Sequence, residues 1–128
     1  MNVLADTFTD AVVITHASMP TRPPGGNLIG IGHAFDITAV YSDTGAPAQP
    51  VSGQTLTIMV QYTDADKGPA IESTLALYWW NGVAWSRQGI TSTVDIVNNV
   101  ITAQVDHLST FAVLGETNRI FLPAVLKN

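Results

Sequence analysis

The chain has 128 residues, enough for one domain with its own core, and it carries a net charge of −5. Only 12% of its residues are charged and the five basic ones are scattered singly, which excludes the basic surface that nucleic acids and anionic membranes attract. The lack of cysteine excludes disulfides, a thiolate nucleophile and a cysteine-ligated zinc, and no segment has the ~18 apolar residues of a membrane-spanning helix.

The composition and the residue pattern both favour strands. Fifteen residues are threonine and 46% are hydrophobic, and threonine and valine suit pleated sheets. Apolar and polar residues alternate with a period of two along most of the chain, which is typical of strands with one buried face. We expect strands, in chain order, over Phe8–His16, Leu28–Tyr41, Thr55–Tyr62, Thr74–Trp80, Val83–Gln88, Thr93–Val97, Val100–Val105 and Phe111–Leu114.

Turn signals separate these predicted strands. Asn81-Gly82 is the strongest of them, because a two-residue hairpin turn needs two positive φ angles, and Asn98-Asn99 is compatible with the same turn. Gly30 and Gly32 indicate a bulge or kink in the second strand. A helical turn or structured loop is expected over residues 64–73.

Eight or nine short strands with regular turns predict an all-β fold, and we expect an antiparallel β-sandwich rather than an even barrel. Residues 1–118 form the sandwich module in this prediction, and residues 119–128 form an apolar C-terminal strand or tail. Pro123 has no amide hydrogen, which confines the run Ile120–Leu126 to a sheet edge or a docked tail. We expect this run to dock on its own chain or on a neighbour, in the second case by strand addition.

Three carboxylates near the predicted loop are candidate calcium ligands. Asp64, Asp66 and Glu72 offer hard oxygens that suit Ca²⁺. Gly68 stands where an EF-hand loop needs a third oxygen ligand, so the spacing favours a solvated turn capped by aspartates. We expect no other cofactor, because metal-ligand spacing is missing from the three histidines of the chain, His16, His33 and His107.

Three tryptophans lie on the two arms of the predicted Asn81-Gly82 hairpin. Trp79 and Trp80 are neighbours on one strand and therefore point to opposite faces of the sheet. Cross-strand packing of indoles with Tyr78 and Trp85 is the favoured interpretation. The alternative is a binding surface in which Trp79, Trp80 and Trp85 stack on a sugar or a partner protein.

The stretch Asp106–Gly115 joins a polar head to an apolar body. Phe111 and Val113 alternate with Ala112 and Leu114, and apolar residues on both faces predict a strand inside a sheet. His107 and Ser109 are two residues apart, so an extended chain points both side chains to one side, where the imidazole can reach the hydroxyl. That pairing is the minimum for a base-activated nucleophile, and it is also a common way to hydrogen-bond a half-buried histidine.

The run His107-Leu108-Ser109-x-Phe111-Ala112-Val113-Leu114 resembles the proteolysis site of adhesion-type G-protein-coupled receptors. It is also similar to the His-Phe-Ser sites of self-processing β-domains in ankyrin-like and death-domain proteins. The resemblance implies that the Leu108–Ser109 bond breaks, with Ser109 as the nucleophile and His107 as the base. The receptor site usually has flanking disulfides, which a chain without cysteine lacks.

A second resemblance covers most of the chain. The succession of a Gly-rich turn, His33-Ala34-Phe35, Tyr62-Thr63-Asp64-Ala65-Asp66, the tryptophan hairpin and His107-Leu108-Ser109 is similar to β-modules at the C-terminal ends of bacterial surface proteins. In many of those modules the His-x-Ser step is structural.

The sequence therefore predicts a non-catalytic, extracellular structural and interaction module of a bacterial-type surface protein, with adhesion or self-association as its role and no enzymatic turnover. Two alternatives stay open: a single-turnover domain that cleaves itself at Leu108–Ser109, and a glycan- or protein-binding module that uses the tryptophan hairpin. The first six residues lack the basic start and apolar run of a signal peptide, so we expect the native N-terminus upstream of Met1.

Overall fold

The computed structural model of the protein describes residues 7–8, 11–19 and 28–117. Within these ranges the regular secondary structure consists of eight strands and includes no helix. The strands are β1 (Val12–Ser18), β2 (Leu28–Tyr41), β3 (Leu56–Gln61), β4 (Ile71–Trp80), β5 (Trp85–Ser86), β6 (Ile90–Asp95), β7 (Val100–Val105) and β8 (Thr110–Glu116). The predicted all-β fold is confirmed, and β2 and β7 have the expected bounds.

The strands form two antiparallel sheets. The larger sheet has the order β1-β2-β8-β4-β5, and the smaller has the order β3-β7-β6. All of the pairings between these strands are antiparallel. Neither sheet closes into a barrel in the described part of the chain, so β3 and β6 are the edges of the smaller sheet.

The motif strand β8 lies at the centre of the larger sheet, between β2 and β4. Phe111 and Val113 are fully buried in the main core, while Ala112 and Leu114 are fully buried in a second cluster on the opposite face. A strand covered on both faces must be apolar at every position, which is why alternation is absent here. The prediction of a strand inside a sheet is confirmed.

Side chains from both sheets share the main hydrophobic core. Phe35 and Leu77 of the larger sheet belong to the same buried cluster as Ile58 and Ile101 of the smaller one. The period of two explains this arrangement in β3, where buried side chains alternate with more exposed ones. The alternation of this stretch predicts that Leu56, Ile58, Val60 and Tyr62 point inward, and all four are buried in the core.

The hairpin at Asn81 differs from its prediction. Its second arm contains only two strand residues, and its turn spans four residues, with the Asn81 N–H donating to the Ala84 carbonyl at 3.1 Å. Gly82 has a φ of 96°, but Asn81 does not have a positive φ. Asn81 acts through its side chain instead, since Oδ1 accepts hydrogen bonds from the N–H groups of Val83 and Ala84.

The second hairpin, between β6 and β7, also turns over four residues. Asn99 has a φ of 58°, the left-handed conformation that asparagine tolerates. The Asp95 carboxylate accepts hydrogen bonds from the Asn98 side chain and from the N–H groups of Asn98 and Val97. Bonds to the ionised form hold the pKa of Asp95 below its usual value, with the Asn98 side chain as the largest cause.

Other element boundaries differ from the predicted ones by a few residues. β1 begins at Val12 rather than Phe8, and Phe8 is buried in the core outside any strand. The expected irregularity in β2 is present as a register shift between Gly30 and Ala34. Residues 64–70 form the expected structured loop without a helix. The predicted C-terminal strand or tail, residues 119–128, lies outside the described residues.

Candidate functional site

The candidate site is the segment that leads into β8, in which Leu108 makes a pair of hydrogen bonds to one side chain. The side-chain amide of Gln49 accepts from the Leu108 N–H at 2.7 Å and donates to the Leu108 carbonyl at 3.3 Å. We call these two bonds the Gln49 clamp. Leu108 is 6% exposed and belongs to the main core, so the clamp pairs backbone groups beside a buried side chain.

Gln49 is held in place by the loop that follows β2. Ala48 donates its N–H to the Ala39 carbonyl at 2.9 Å, and Pro47 forms an isolated bridge with Val40. The clamp therefore connects the loop that follows β2 to the segment that precedes β8. Sequence reasoning missed Gln49 entirely, because its partner is 59 residues away and no local pattern marks such a pair.

His107 is turned toward its acidic neighbour and an indole. Its Nδ1 lies 2.6 Å from Asp106 Oδ1, and its ring meets the Trp79 ring edge-on with the centroids 4.3 Å apart. Its Nε2 is buried and has no hydrogen-bond partner among the residues that the structure describes. The hydrogen bond from the His107 imidazole to the Ser109 hydroxyl, which the two-residue spacing allows, is not made, because the ring packs against Asp106 and Trp79 instead.

Ser109 lies beside an open cleft of about 340 Å³ that Gln49 and Thr38 also line. Its carbonyl accepts a hydrogen bond from the Ile37 N–H at 3.0 Å, which continues the pairing of β2 with β8. Next to it, the Thr110 hydroxyl donates to the Asp36 carboxylate. Hydrogen bonds therefore connect the residues at the start of β8 to β2 and to the loop that follows β2.

The candidate calcium ligands have other partners. The Tyr62 hydroxyl and the Lys67 ammonium bind Glu72 at 2.6 and 2.9 Å, and Asp64 lies 3.7 Å from the same ammonium. Asp66 is bonded to His33 at 3.1 Å. A lysine stands between two of the three carboxylates, and the described residues contain no group of three acidic, histidine or cysteine side chains placed to hold a metal ion.

These contacts have electrostatic consequences. The hydrogen bond from Tyr62, with the bond from Lys67 second, holds the pKa of Glu72 below its usual value. Burial, with the neighbouring Glu72 second, raises the pKa of the Tyr62 hydroxyl. The backbone hydrogen bond from Thr63 and the His33 ring together lower the pKa of Asp66. The cluster is a network of mutually satisfied charges around the loop between β3 and β4.

The three tryptophans do not share one surface. Trp79 packs against the main core and donates from its indole N–H to the Gln88 carbonyl at 2.8 Å. Trp80 and Trp85 are directly paired across the hairpin, with an edge-to-face contact at 5.4 Å. Trp85 and Tyr78 pack against the second cluster. Cross-strand packing is therefore present between Trp80 and Trp85, while Trp79 packs against the main core.

The histidines are dispersed in the same way. The His16 ring contacts the Phe35 ring at 5.2 Å, His33 binds Asp66, and His107 binds Asp106. Each ring has its own neighbours, so the structure does not bring the three histidines together.

No protein-family model, curated protein or solved structure matches this chain. The resemblances to receptor proteolysis sites and to bacterial surface modules therefore stay predictions. Among the described residues there is no helix of the length and apolarity needed to cross a membrane.

Proposed function

We propose that the chain is a non-catalytic structural and interaction module of an extracellular, bacterial-type surface protein, with its two sheets packed as a β-sandwich. The shared core supports the sandwich, because Phe35 and Leu77 of one sheet are buried with Ile58 and Ile101 of the other. The non-catalytic role is supported by the contacts of residues 106–110, which fasten the segment before β8.

The Gln49 clamp is the observation that carries the proposal. It satisfies both backbone polar groups of Leu108, the residue whose carbonyl a self-cleaving module would have to attack. The neighbouring His107 faces Asp106 and Trp79 rather than the Ser109 hydroxyl. In this role the motif anchors the start of the central strand.

Self-cleavage at Leu108–Ser109 is the second candidate, and one contact favours it. The Gln49 side-chain N–H donates to the Leu108 carbonyl, where charge would develop during attack by Ser109. The reaction still needs a base on the serine hydroxyl, since amide resonance makes an ordinary peptide bond a poor target. His107 would have to leave Asp106 and Trp79 to supply it.

Stability measurements on two single variants test the proposed role. Gln49→Ala leaves the N–H and carbonyl of Leu108 without their partner, so we expect a loss of about 1–3 kcal/mol in the free energy of unfolding. Ser109→Ala removes a hydroxyl that the clamp does not use, and we expect a change within ~0.5 kcal/mol. Urea denaturation of the purified full chain gives both values.

Gln104→Ala is the matched control, because Gln104 is an exposed residue on the outer face of β7. It removes the same type of side chain and should change the free energy of unfolding by no more than ~0.5 kcal/mol. Equal losses in the Gln49 and Gln104 variants, or a Ser109→Ala loss as large as that of Gln49→Ala, would contradict the structural role.

A further inference from the structure

Strand β1 has an open edge. It is the outermost strand of the larger sheet, and in the described part of the chain no strand pairs with its second side. Its seven residues, Val12–Ser18, include no acidic residue, no lysine or arginine and no proline. Natural proteins usually protect an edge with a charge, a proline or a bulge, and an edge without them is a template for another strand.

The hydrogen bonds at the two ends of β1 show which residues point their backbone groups outward. Ala11 accepts a hydrogen bond from the Ser42 N–H at 3.0 Å, and Met19 donates its N–H to the Ala34 carbonyl at 2.9 Å. Odd-numbered residues of this stretch therefore face β2, because the register is continuous and backbone direction alternates along a strand. The even-numbered residues direct their N–H and C=O groups to the open edge: Val12, Ile14, His16 and Ser18.

The side chains of β1 follow the same alternation. The first two even-numbered side chains pack against the main core, and the His16 ring contacts the Phe35 ring at 5.2 Å. The odd-numbered side chains lie on the outer face of the sheet, where Val13 is 54% exposed and Thr15 and Ala17 are exposed as well. A strand placed beside β1 would therefore meet three small or medium-sized uncharged side chains on this face.

The remaining edge strands are less suited to pairing. β5 has only two residues, and β6 ends in Asp95, while its Ser92 hydroxyl binds the Leu77 N–H of β4 at 3.1 Å. β3 has three residues that face its open edge, since the Tyr62 N–H donates to the Asn99 carbonyl and the even-numbered residues therefore face β7. With four such residues, β1 offers the longest neutral edge of the described sheets.

We propose that two copies of the chain associate through β1, which pairs antiparallel with the β1 of the second copy and joins two five-stranded sheets into one. A two-fold axis at Thr15 sets even-numbered residues opposite each other, so that their free backbone groups bond in pairs. On the outer face, Thr15 then meets Thr15 of the second copy, and Val13 meets its Ala17. The strand is thus complementary to itself in backbone and in side chains.

The dimer should be weak and reversible. The pairing adds a row of backbone hydrogen bonds, and interfaces that bury less than ~1,200 Å² are typical of transient contacts. Each copy also carries a net charge of −5, so two copies repel each other more at low salt than at high salt. We therefore expect a dissociation constant between about 10 μM and about 1 mM, and tighter association as the salt concentration rises.

Sedimentation of the purified full chain tests the dimer. The average mass should rise from monomer toward dimer between about 10 μM and about 1 mM protein. Thr15→Lys sets two ammonium groups opposite each other and should weaken association by roughly tenfold or more. Thr91→Lys is the matched control, because it changes the charge equally at an exposed threonine of β6, and it should weaken association less than about twofold. A monomer at every concentration, or equal weakening by the two variants, would overturn the proposal.

Engineered cysteines test the position of the axis, in a chain without native cysteine. Thr15→Cys should give a disulfide-linked dimer under mild oxidation, because the two copies of residue 15 face each other within disulfide reach. Ala17→Cys should stay reduced, since its two copies lie about four residues, or ~13 Å, apart along the strands. Val13→Cys combined with Ala17→Cys should restore the link.

Linking of Ala17→Cys as efficient as that of Thr15→Cys would contradict the proposed axis. The dimer goes beyond the function proposed above and depends on β1 alone. Its absence would leave the role of the Gln49 clamp unchanged, because none of these variants alters a residue of the clamp.

Discussion

At the scale of single residues, contacts with spatial neighbours determine how the side chains at the start of β8 are positioned. His107 is positioned by Asp106, with Nδ1 and Oδ1 2.6 Å apart, and by the edge of Trp79. Asp106 is adjacent to His107 in the sequence, so their contact could have been predicted from the local sequence. The contact of Gln49 with Leu108 could not, because the two residues are far apart in the chain. The spacing of His107 and Ser109 allows their side chains to meet, and the contacts of the His107 ring with Asp106 and Trp79 explain why they do not.

Glu72 provides a prediction at the residue scale. Its carboxylate is ionised in contact with Tyr62 and Lys67, and these contacts hold its pKa below the usual 4.5. A carboxyl pKa that is lower in the folded state stabilises the fold above the unfolded-state pKa, and this stabilisation disappears as the pH falls through the folded-state pKa. Glu72→Gln should therefore lower the melting temperature at neutral pH and have less effect at about pH 3.

The comparison requires melting curves of both proteins at the two pH values, with Glu116→Gln as the control. Glu116 is exposed, so its variant should shift the melting temperature little at either pH. An effect of Glu72→Gln that is as large at the acidic pH as at the neutral one would show that the charge of Glu72 does not contribute.

At the scale of elements, β8 determines how the larger sheet is built. It pairs with β2 on one side and β4 on the other, and both of its faces are covered. Phe111 is fully buried in the core that the two sheets share, and its ring contacts Phe35 at 5.9 Å. Removal of this side chain leaves a cavity that neither sheet can fill by itself.

Phe111→Ala should consequently cost about 3–5 kcal/mol of the free energy of unfolding. Val13→Ala is the control on the edge strand β1, where the side chain is 54% exposed, and its cost should stay below about 1 kcal/mol. Urea titration followed by tryptophan fluorescence measures both. Similar losses in the two variants would mean that β8 is not the central strand of the fold.

The strands themselves were largely predictable from the sequence, because their signals are local. The alternation in β3 and β7, the apolar run in β8 and the glycines of β2 each act within a few residues. The strand order was not predictable, since pairing of β2 with β8 joins residues that are far apart in the chain. The two hairpin turns were located correctly, but each contains four residues because Asn81 and Asp95 bind backbone N–H groups through their side chains.

At the scale of the whole molecule, the two described sheets bury side chains in one shared core. The Gln49 clamp lies near the Leu56 end of β3, because Leu108 follows Val105, the partner of Leu56. The loop network of Tyr62, Lys67 and Glu72 lies at the other end of β3. The function proposed above is that of a structural module in a surface protein. The role of the segment from His107 to Ser109 decides between that function and self-processing.

The most direct measurement is the intact mass of the full chain under denaturing conditions, after long incubation at about pH 8, where a histidine side chain is ordinarily neutral and able to act as a base. Denaturation matters because two fragments would stay together through the buried strand β8. We predict a single species of 13.6 kDa, with the same result, apart from the mass of one oxygen, for Ser109→Ala. Two species that correspond to residues 1–108 and 109–128 in the unmodified protein, and one intact species in Ser109→Ala, would contradict the structural role.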